Sequence, residues 1–468
     1  MSYCHPGPGV RQYRMQIIWQ EILAMSEKSL SIEPLQVIDC ASEISHVLSY
    51  DRQKTEEEEE VVVEPEILYE EVSQKHVTHL GEAPDGGLRA WLVVFRLIDY
   101  VLYIFQAYYE ENLLVDTSPS TIAWIGSTQY ALLCFPSLAT GRMFDLGYFK
   151  IPFFAASCVI VACTFLTAEC TQFWQLFLTQ GVGLGASYGF LYVPTVVIVS
   201  QWFSKRRGLA LSLTTVGTAL GSILFPVVAQ NLIPLIGFKW TVRVFGFILM
   251  ATLGTANVLL KRRLPPVNVR GGLFNLKAFR NKAFTIYCIS GIVILLGLYT
   301  ELTYLSVSAV AIGISRDFSF YILAIANAAS ALRVSFGLMS DRVGAINTMA
   351  VLTAITGIAT IAWPFAENEV QFISIAIIYG SSLGAYVCLY SAPLVAMGQI
   401  EDAGRRVGMF LSLLAFGGVA GPPISGAIST TTGGFAAAGY YSGGIVLFGV
   451  AILLVARYLH LGRLWGKF

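Results

Sequence analysis

From Ala90 onward the chain is a succession of long apolar runs separated by short polar breaks. Each run approaches the ~20 residues that a helix needs to cross a hydrocarbon core of roughly 30 Å. Twelve such runs can be drawn, at 90–109, 121–140, 149–168, 172–200, 207–229, 238–260, 283–305, 317–339, 346–365, 370–398, 405–429 and 437–459. They do not alternate apolar with polar positions, as the strands of about ten residues in an outer-membrane barrel do. Lipid offers no partner to backbone N–H and C=O groups, so runs of this kind must be helical. The pattern predicts an all-α membrane protein with twelve transmembrane helices.

The first 85 residues follow another pattern. Met15 to Met25 is mildly apolar but too short and too polar to span. It is followed by no small-residue cleavage site and is not read as a signal peptide. Residues 26–83 are polar and acidic, with five glutamates in a row at Glu56–Glu60. Such a composition cannot bury a core, so 1–85 reads as a disordered acidic tail, solvated or docked on a basic partner.

Composition agrees with the lipid reading: 55% of the 468 residues are hydrophobic and 13% charged, against about 25% charged in a soluble domain. Thirty basic residues balance thirty acidic ones, so nothing points to a nucleic-acid partner. Of the eight cysteines, Cys134, Cys158, Cys163, Cys288 and Cys388 lie singly in apolar runs with no metal spacing. They read as small buried hydrophobes, and no metal or cofactor is expected.

Where the charges fall says more than their sum. The even-numbered loops hold fifteen basic residues, among them Arg142, Lys150, Lys205, Arg206, Arg207, Lys261, Arg262, Arg263, Arg342, Arg405 and Arg406. The odd-numbered loops hold Lys239, Arg243 and Arg316. By the positive-inside bias, the even loops and both termini are cytoplasmic, with the plasma membrane as the expected location.

An internal repeat accompanies this bias. Gly141-Arg142-Met-Phe-Asp145 follows the second run, and Gly337-Leu-Met-Ser-Asp341-Arg342 follows the eighth. Likewise Arg206-Arg207-Gly-Leu-Ala-Leu-Ser-Leu opens the fifth run, and Arg405-Arg406-Val-Gly-Met-Phe-Leu-Ser-Leu opens the eleventh. A duplicated six-helix unit explains both, giving halves at 86–260 and 283–460, a linker at 261–282 and a tail at 461–468. This is the plan of facilitator-type transporters, with a site at the midplane. The glycine permits close helix approach, and the aspartate can cap a neighbouring helix N-terminus with an arginine beside it. Gly141, Arg142, Asp145, Arg206, Arg207, Gly337, Asp341 and Arg342 are therefore candidates for a conformational latch.

Further stretches narrow the likeness. Pro84-Asp-Gly-Gly-Leu-Arg-Ala-Trp91 opens the first run and Phe105-Gln-Ala-Tyr-Tyr-Glu110 closes it. Gln201-Trp-Phe-Ser-Lys-Arg-Arg-Gly-Leu-Ala210 precedes the glycine pair Gly217 and Gly221. Over about residues 84–460 the chain resembles the fungal branch of the monocarboxylate porter family within the major facilitator superfamily. The resemblance implies transport of a carboxylate or related metabolite, proton-linked or facilitative, by a monomer in the lipid bilayer. It also admits efflux of a secondary metabolite from a biosynthetic cluster. Carboxylate-moving relatives carry an aspartate one turn before the helix-8 arginine. Here Arg333 matches the arginine, but Ala329 stands at the aspartate position. The first run also reads as truncated, by about a dozen residues or three helical turns, without the helix-1 lysine of that family.

A charge inside a span costs about 2.5–3.5 kcal/mol on insertion scales and so faces protein or water. Arg333 is read as an anion-binding residue, or else a structural pair or snorkelling side chain. Glu301 and Asp99 are proton-coupling candidates; Glu301 could equally be interfacial, and Asp99 could neutralise Arg96. Gln129, Tyr188, Tyr192, Asn327, Tyr386 and Tyr390 are candidates to line a substrate cavity, or to act as packing glue. The tyrosine spacing of four places each pair on one helix face. No paired catalytic groups occur, so an enzyme is not expected. The rival to a carrier of a small organic anion or secondary metabolite is a non-transporting membrane sensor.

Overall fold

The computed structural model describes Asp85 and residues 108–468, apart from 267–271, 464–465 and 468. The predicted tail up to residue 84 and most of the first predicted span, with Arg96 and Asp99, lie outside the described residues. Among the described residues no strand occurs.

Helix α1, Pro119–Cys134, starts where Ser118 Oγ accepts the Thr121 N–H at 3.3 Å, with proline at the first helical position. Pro136, which has no N–H to give, separates it from α2, Ser137–Asp145. Helices α3, Lys150–Thr167, and α4, Phe173–Trp202, follow. Helix α5, Arg207–Leu259, is 53 residues long and joins two helices at Gly237. That residue sits at φ 79°, a conformation that glycine takes without strain. Helices α6, Lys282–Leu298, and α7, Thr300–Ala311, are separated by a break at Tyr299. Then come α8, Arg316–Ala329; α9, Arg333–Val343; α10, Ala345–Ala362; α11, Glu369–Leu389; and the short α12, Ala392–Ala396. The chain closes with α13, Ala403–Thr432, and α14, Ala436–Leu461. Among the described residues nine helical stretches are long and apolar enough to cross a membrane, counting α5 once and taking α6–α7, α8–α9 and α11–α12 each as one stretch.

In lipid the hydrophobic effect does little to bring helices together, so close packing depends on small residues. Gly417 and Gly421 of α13 lie against the backbone of α6 at Ile292 and Leu296. Gly380 of α11 lies against Ala326 of α8, and Gly357 of α10 against Gly443 of α14. Hydroxyls within the apolar helices mostly bond back to their own helix, as Ser157 does to Phe153 and Thr195 to Leu191. This is the local satisfaction that lets Ser and Thr sit in such a helix.

Two of the three basic residues that run against the charge bias share one carboxylate. Glu169 meets Lys239 at 3.1 Å and Arg243 at 2.6 Å. The bonds from Lys239 and then Arg243 hold its carboxyl below the usual carboxylate range.

Candidate functional site

At the end of the bundle rich in basic residues, two aspartates each close a helix N-terminus from a neighbouring helix. Asp145, at the end of α2, accepts the N–H of Gly404 at 3.1 Å and of Arg405 at 2.8 Å, in the first turn of α13. Asp341, near the end of α9, accepts the N–H of Gly208 at 2.7 Å and of Leu209 at 3.0 Å, in the first turn of α5. These N–H groups have no partner inside their own helix, and the positive helix end favours a carboxylate. The glycines make the approach possible. A Cβ on Gly141 would collide with the Gly404 carbonyl, and one on Gly337 with the Ser212 hydroxyl and Gly208.

The repeat has a register that differs from the one suggested by its arginines. Asp341 follows Asp145 by 196 residues, and the residue preceding α5, Arg206, is followed at that same interval by Asp402, which precedes α13. Arg405 and Arg406 therefore lie one turn deeper than Arg206 and Arg207. Both are buried. Arg405 Nε donates to Asp402 at 2.6 Å, while Arg406 donates to the carbonyls of Leu394 at 2.9 Å and Gln399 at 2.6 Å. Asn275, from the segment before α6, adds a 2.6 Å bond to Asp402. Arg206 and Arg342 are exposed, and Arg207 is half-buried. Arg142 is buried.

Asp85 was legible as part of a motif but not as a contact. Its Oδ1 accepts three successive N–H groups, from Ser204 and Lys205 at 2.7 Å and Arg206 at 3.2 Å. It grips the loop leading into α5, just before the turn held by Asp341. Burial, opposed by the bonds from Arg405 and Gly404, pushes the Asp145 carboxyl up to about 7.

Deeper in the bundle lies a cavity of about 20 Å³, room for about one water molecule. Tyr192 and Thr195 of α4, Thr214, Thr215 and Thr218 of α5, and Cys388 and Ser391 line it. Arg333 stands one bond away. Its Nη1 donates to the Thr215 carbonyl at 3.1 Å, its Nε to the Ser330 carbonyl at 2.7 Å, and its Nη2 to Ser330 Oγ at 2.6 Å. Among the described residues no carboxylate meets this buried guanidinium. A fixed cation balanced by neutral oxygens alone is an uncompensated charge, suited to a mobile anion.

Of the other candidates, Tyr192 and Tyr390 come together: Tyr390 Oη donates to Tyr192 Oη at 2.6 Å. Tyr386 packs against Tyr390, ring centroids 6.0 Å apart. Tyr188 lines a second void of about 20 Å³ with Thr164, Thr167 and Gln180. Asn327 bonds to its own helix at Leu323. Gln129 is fully buried against Gly185, and among the described residues neither polar atom of its amide has a partner. Glu301 is fully buried and accepts a 3.0 Å bond from Thr360. Tyr287, whose Oη donates to the Tyr390 carbonyl at 2.6 Å, had no distinguishing sequence signal.

Residues 92–400 match the Major Facilitator Superfamily, and the chain belongs to it. It is a multi-pass membrane transporter of that superfamily. Among its relatives are the MFS transporter asaE of Aspergillus flavus, 32% identical over 81% of this chain and 89% of the relative, and the aspyridones efflux protein apdF of Emericella nidulans, 31% identical over 80% and 79%. Among solved structures, the fold is shared with the E. coli fucose:proton symporter FucP. That match has a TM-score of 0.61 at 14% identity and covers 79% of this chain and 96% of the other. The human organic anion transporter MFSD10 also matches, with a TM-score of 0.59 at 16% identity, covering 74% and 88%.

Proposed function

We propose that this transporter exports a small organic anion, of the secondary-metabolite class, by alternating access. The observation that carries the anion is Arg333, a buried guanidinium that stands beside a small cavity and, among the described residues, bonds to neutral oxygens only. Export is favoured by the likeness to a protein named for aspyridones efflux. Ala329, where carboxylate-moving porters resembling this chain keep an aspartate, weighs against simple monocarboxylate uptake. The two six-helix groups, 86–260 and 283–460, rock about the cavity. The Asp145 and Asp341 caps act as latches, each joining a helix of one group to a helix of the other. Both would lie on the cytoplasmic side with the termini, in a monomer at the plasma membrane. The conformation described is then the inward-closed one.

The test is flux in reconstituted vesicles. An acidic metabolite should move and its methyl ester should not. Arg333→Ala should lower the rate by about 10- to 100-fold, the worth of one charged hydrogen-bond partner, while Arg333→Lys retains part of it. Equal movement of acid and ester, with Arg333→Ala at the wild-type rate, would sink the anion reading. If the chain is instead a sensor, deleting residues 1–80 should abolish its output; a carrier should keep its flux.

A further inference from the structure

Glu301 is a buried acid that the cavity and the caps do not use. It lies in the first turn of α7, directly after the break that separates α7 from α6. The break frees the Leu298 carbonyl, which accepts the Tyr379 hydroxyl of α11 at 2.5 Å. Neighbouring Thr300 joins a hydroxyl chain through Ser425 of α13, at 2.8 Å, to Ser442 of α14, at 3.0 Å. Glu301 itself turns towards α10, where one oxygen takes the Thr360 hydroxyl and the other has no partner.

Nothing ionic balances it. Among the described residues Glu301 forms no ion pair, and the titratable side chain on a neighbouring helix that senses its charge is Tyr379 of α11. The charged residues on the helices around it stand at their ends: Arg316 and Asp317 open α8, Glu369 opens α11, Arg405 and Arg406 open α13, and Arg457 and His460 close α14. An ionised carboxylate in such a place has one hydroxyl donor for its whole charge. Burial of that kind costs several kcal/mol unless the charge is removed.

The residue two before it faces the other way. Tyr299 meets Tyr130 of α1 edge to face, centroids 5.9 Å apart, and Tyr130 also rests on Gly418 of α13. One short joint therefore carries a buried acid on one side and, on the other, a contact between the first and second groups of helices.

We propose that Glu301 is a proton-binding site outside the substrate cavity, and that its loss of the proton loosens the Tyr299–Tyr130 contact at the break between α6 and α7. No bond other than O–H changes: the carboxyl holds the proton in the state described, and the proton leaves to water when the joint opens. The movement rests on the carrier reading; the proton site does not.

Infrared spectra of the purified full-length protein in nanodiscs test the site. A protonated-carboxyl band, shifted by deuterium exchange and missing in Glu301→Gln, is expected. Identical spectra for the two proteins would overturn the proposal. So would a Glu301→Gln protein as unstable as Glu301→Ala at every pH, because a neutral isostere should keep the Thr360 bond and the fold. For the joint, Tyr130→Cys and Tyr299→Cys are combined and cross-linked. The yield should fall several-fold as pH rises with Glu301 present and stay flat with Glu301→Gln. A present band with a yield indifferent to pH would leave the proton and remove the coupling. Because neither readout uses flux, failure of the Arg333 test would leave both results standing.

Discussion

The caps at Asp145 and Asp341 use the same atoms in the same register, yet their surroundings differ. Asp145 is 1% exposed and lies where Gly141 touches Gly404 backbone to backbone, beside the Asp402, Arg405 and Arg406 cluster. Asp341 is half open, has hydroxyls of Ser340 and Ser212 beside it, and shares its helix terminus with Asp85. One motif, written twice, thus makes a dry joint and a wet one. In water-poor surroundings an unmade bond is costly; near solvent a water takes it over. The dry joint should therefore hold the closed state harder, and the wet one should yield first.

The largest expected effect follows directly. Asp145→Ala leaves two buried N–H groups without an acceptor, at about 1–3 kcal/mol each. Asp341→Ala should cost about 0.5–2 kcal/mol, the usual range for a helix cap. Thermal melting in nanodiscs, read beside the accessibility of cysteines near residues 141 and 337, checks the order. Equal losses would erase the distinction between the joints. Next comes steric change. Gly141→Ala forces apart two backbones and should cost about 1–3 kcal/mol. Gly337→Ala first meets the Ser212 hydroxyl, which can turn aside, so its penalty should be smaller.

The helices were legible because lipid leaves little choice: a run of the right length and apolarity must be helical and must span. The caps were legible as well, since a glycine followed four residues later by an aspartate after a long apolar run has few other uses. Their register was not. Arg206-Arg207 and Arg405-Arg406 look equivalent, but the first pair lies at the solvent edge and the second is buried by partners from Asp402, Leu394 and Gln399. Those partners are set by tertiary packing. Thr195, Thr214 and Ser391 were hidden for a related reason: a hydroxyl in an apolar helix normally bonds its own backbone, and nothing local marks the few that border a void. Arg333 stood out because a charge within a span always needs an explanation.

A subtler effect concerns pH. With burial raising Asp145 from its ordinary 3.8 to about 7, the closed joint binds a proton that the opened, hydrated one releases. Its contribution is fully present below the ordinary value and is lost as pH rises through about 7. The closed state should therefore weaken over that window, and Asp145→Asn should flatten the profile; accessibility of the basic end, titrated in both proteins, decides. The smallest effect is expected where the ions are most visible. Glu169→Gln breaks two exposed pairs, and its melting temperature should match wild type.

The Tyr192–Tyr390 bond has a consequence for chemical control of this carrier. Sites that accept drug-sized molecules span about 300–1,000 Å³, so under the proposed function the two rings must part before a cargo could settle beside Arg333. A rigid compound that slips between them, offering a hydroxyl acceptor to each phenol and an acid to the guanidinium, would act as a wedge. It would jam the cycle at mid-stroke, and the fit would be judged by how far it holds two tyrosines apart.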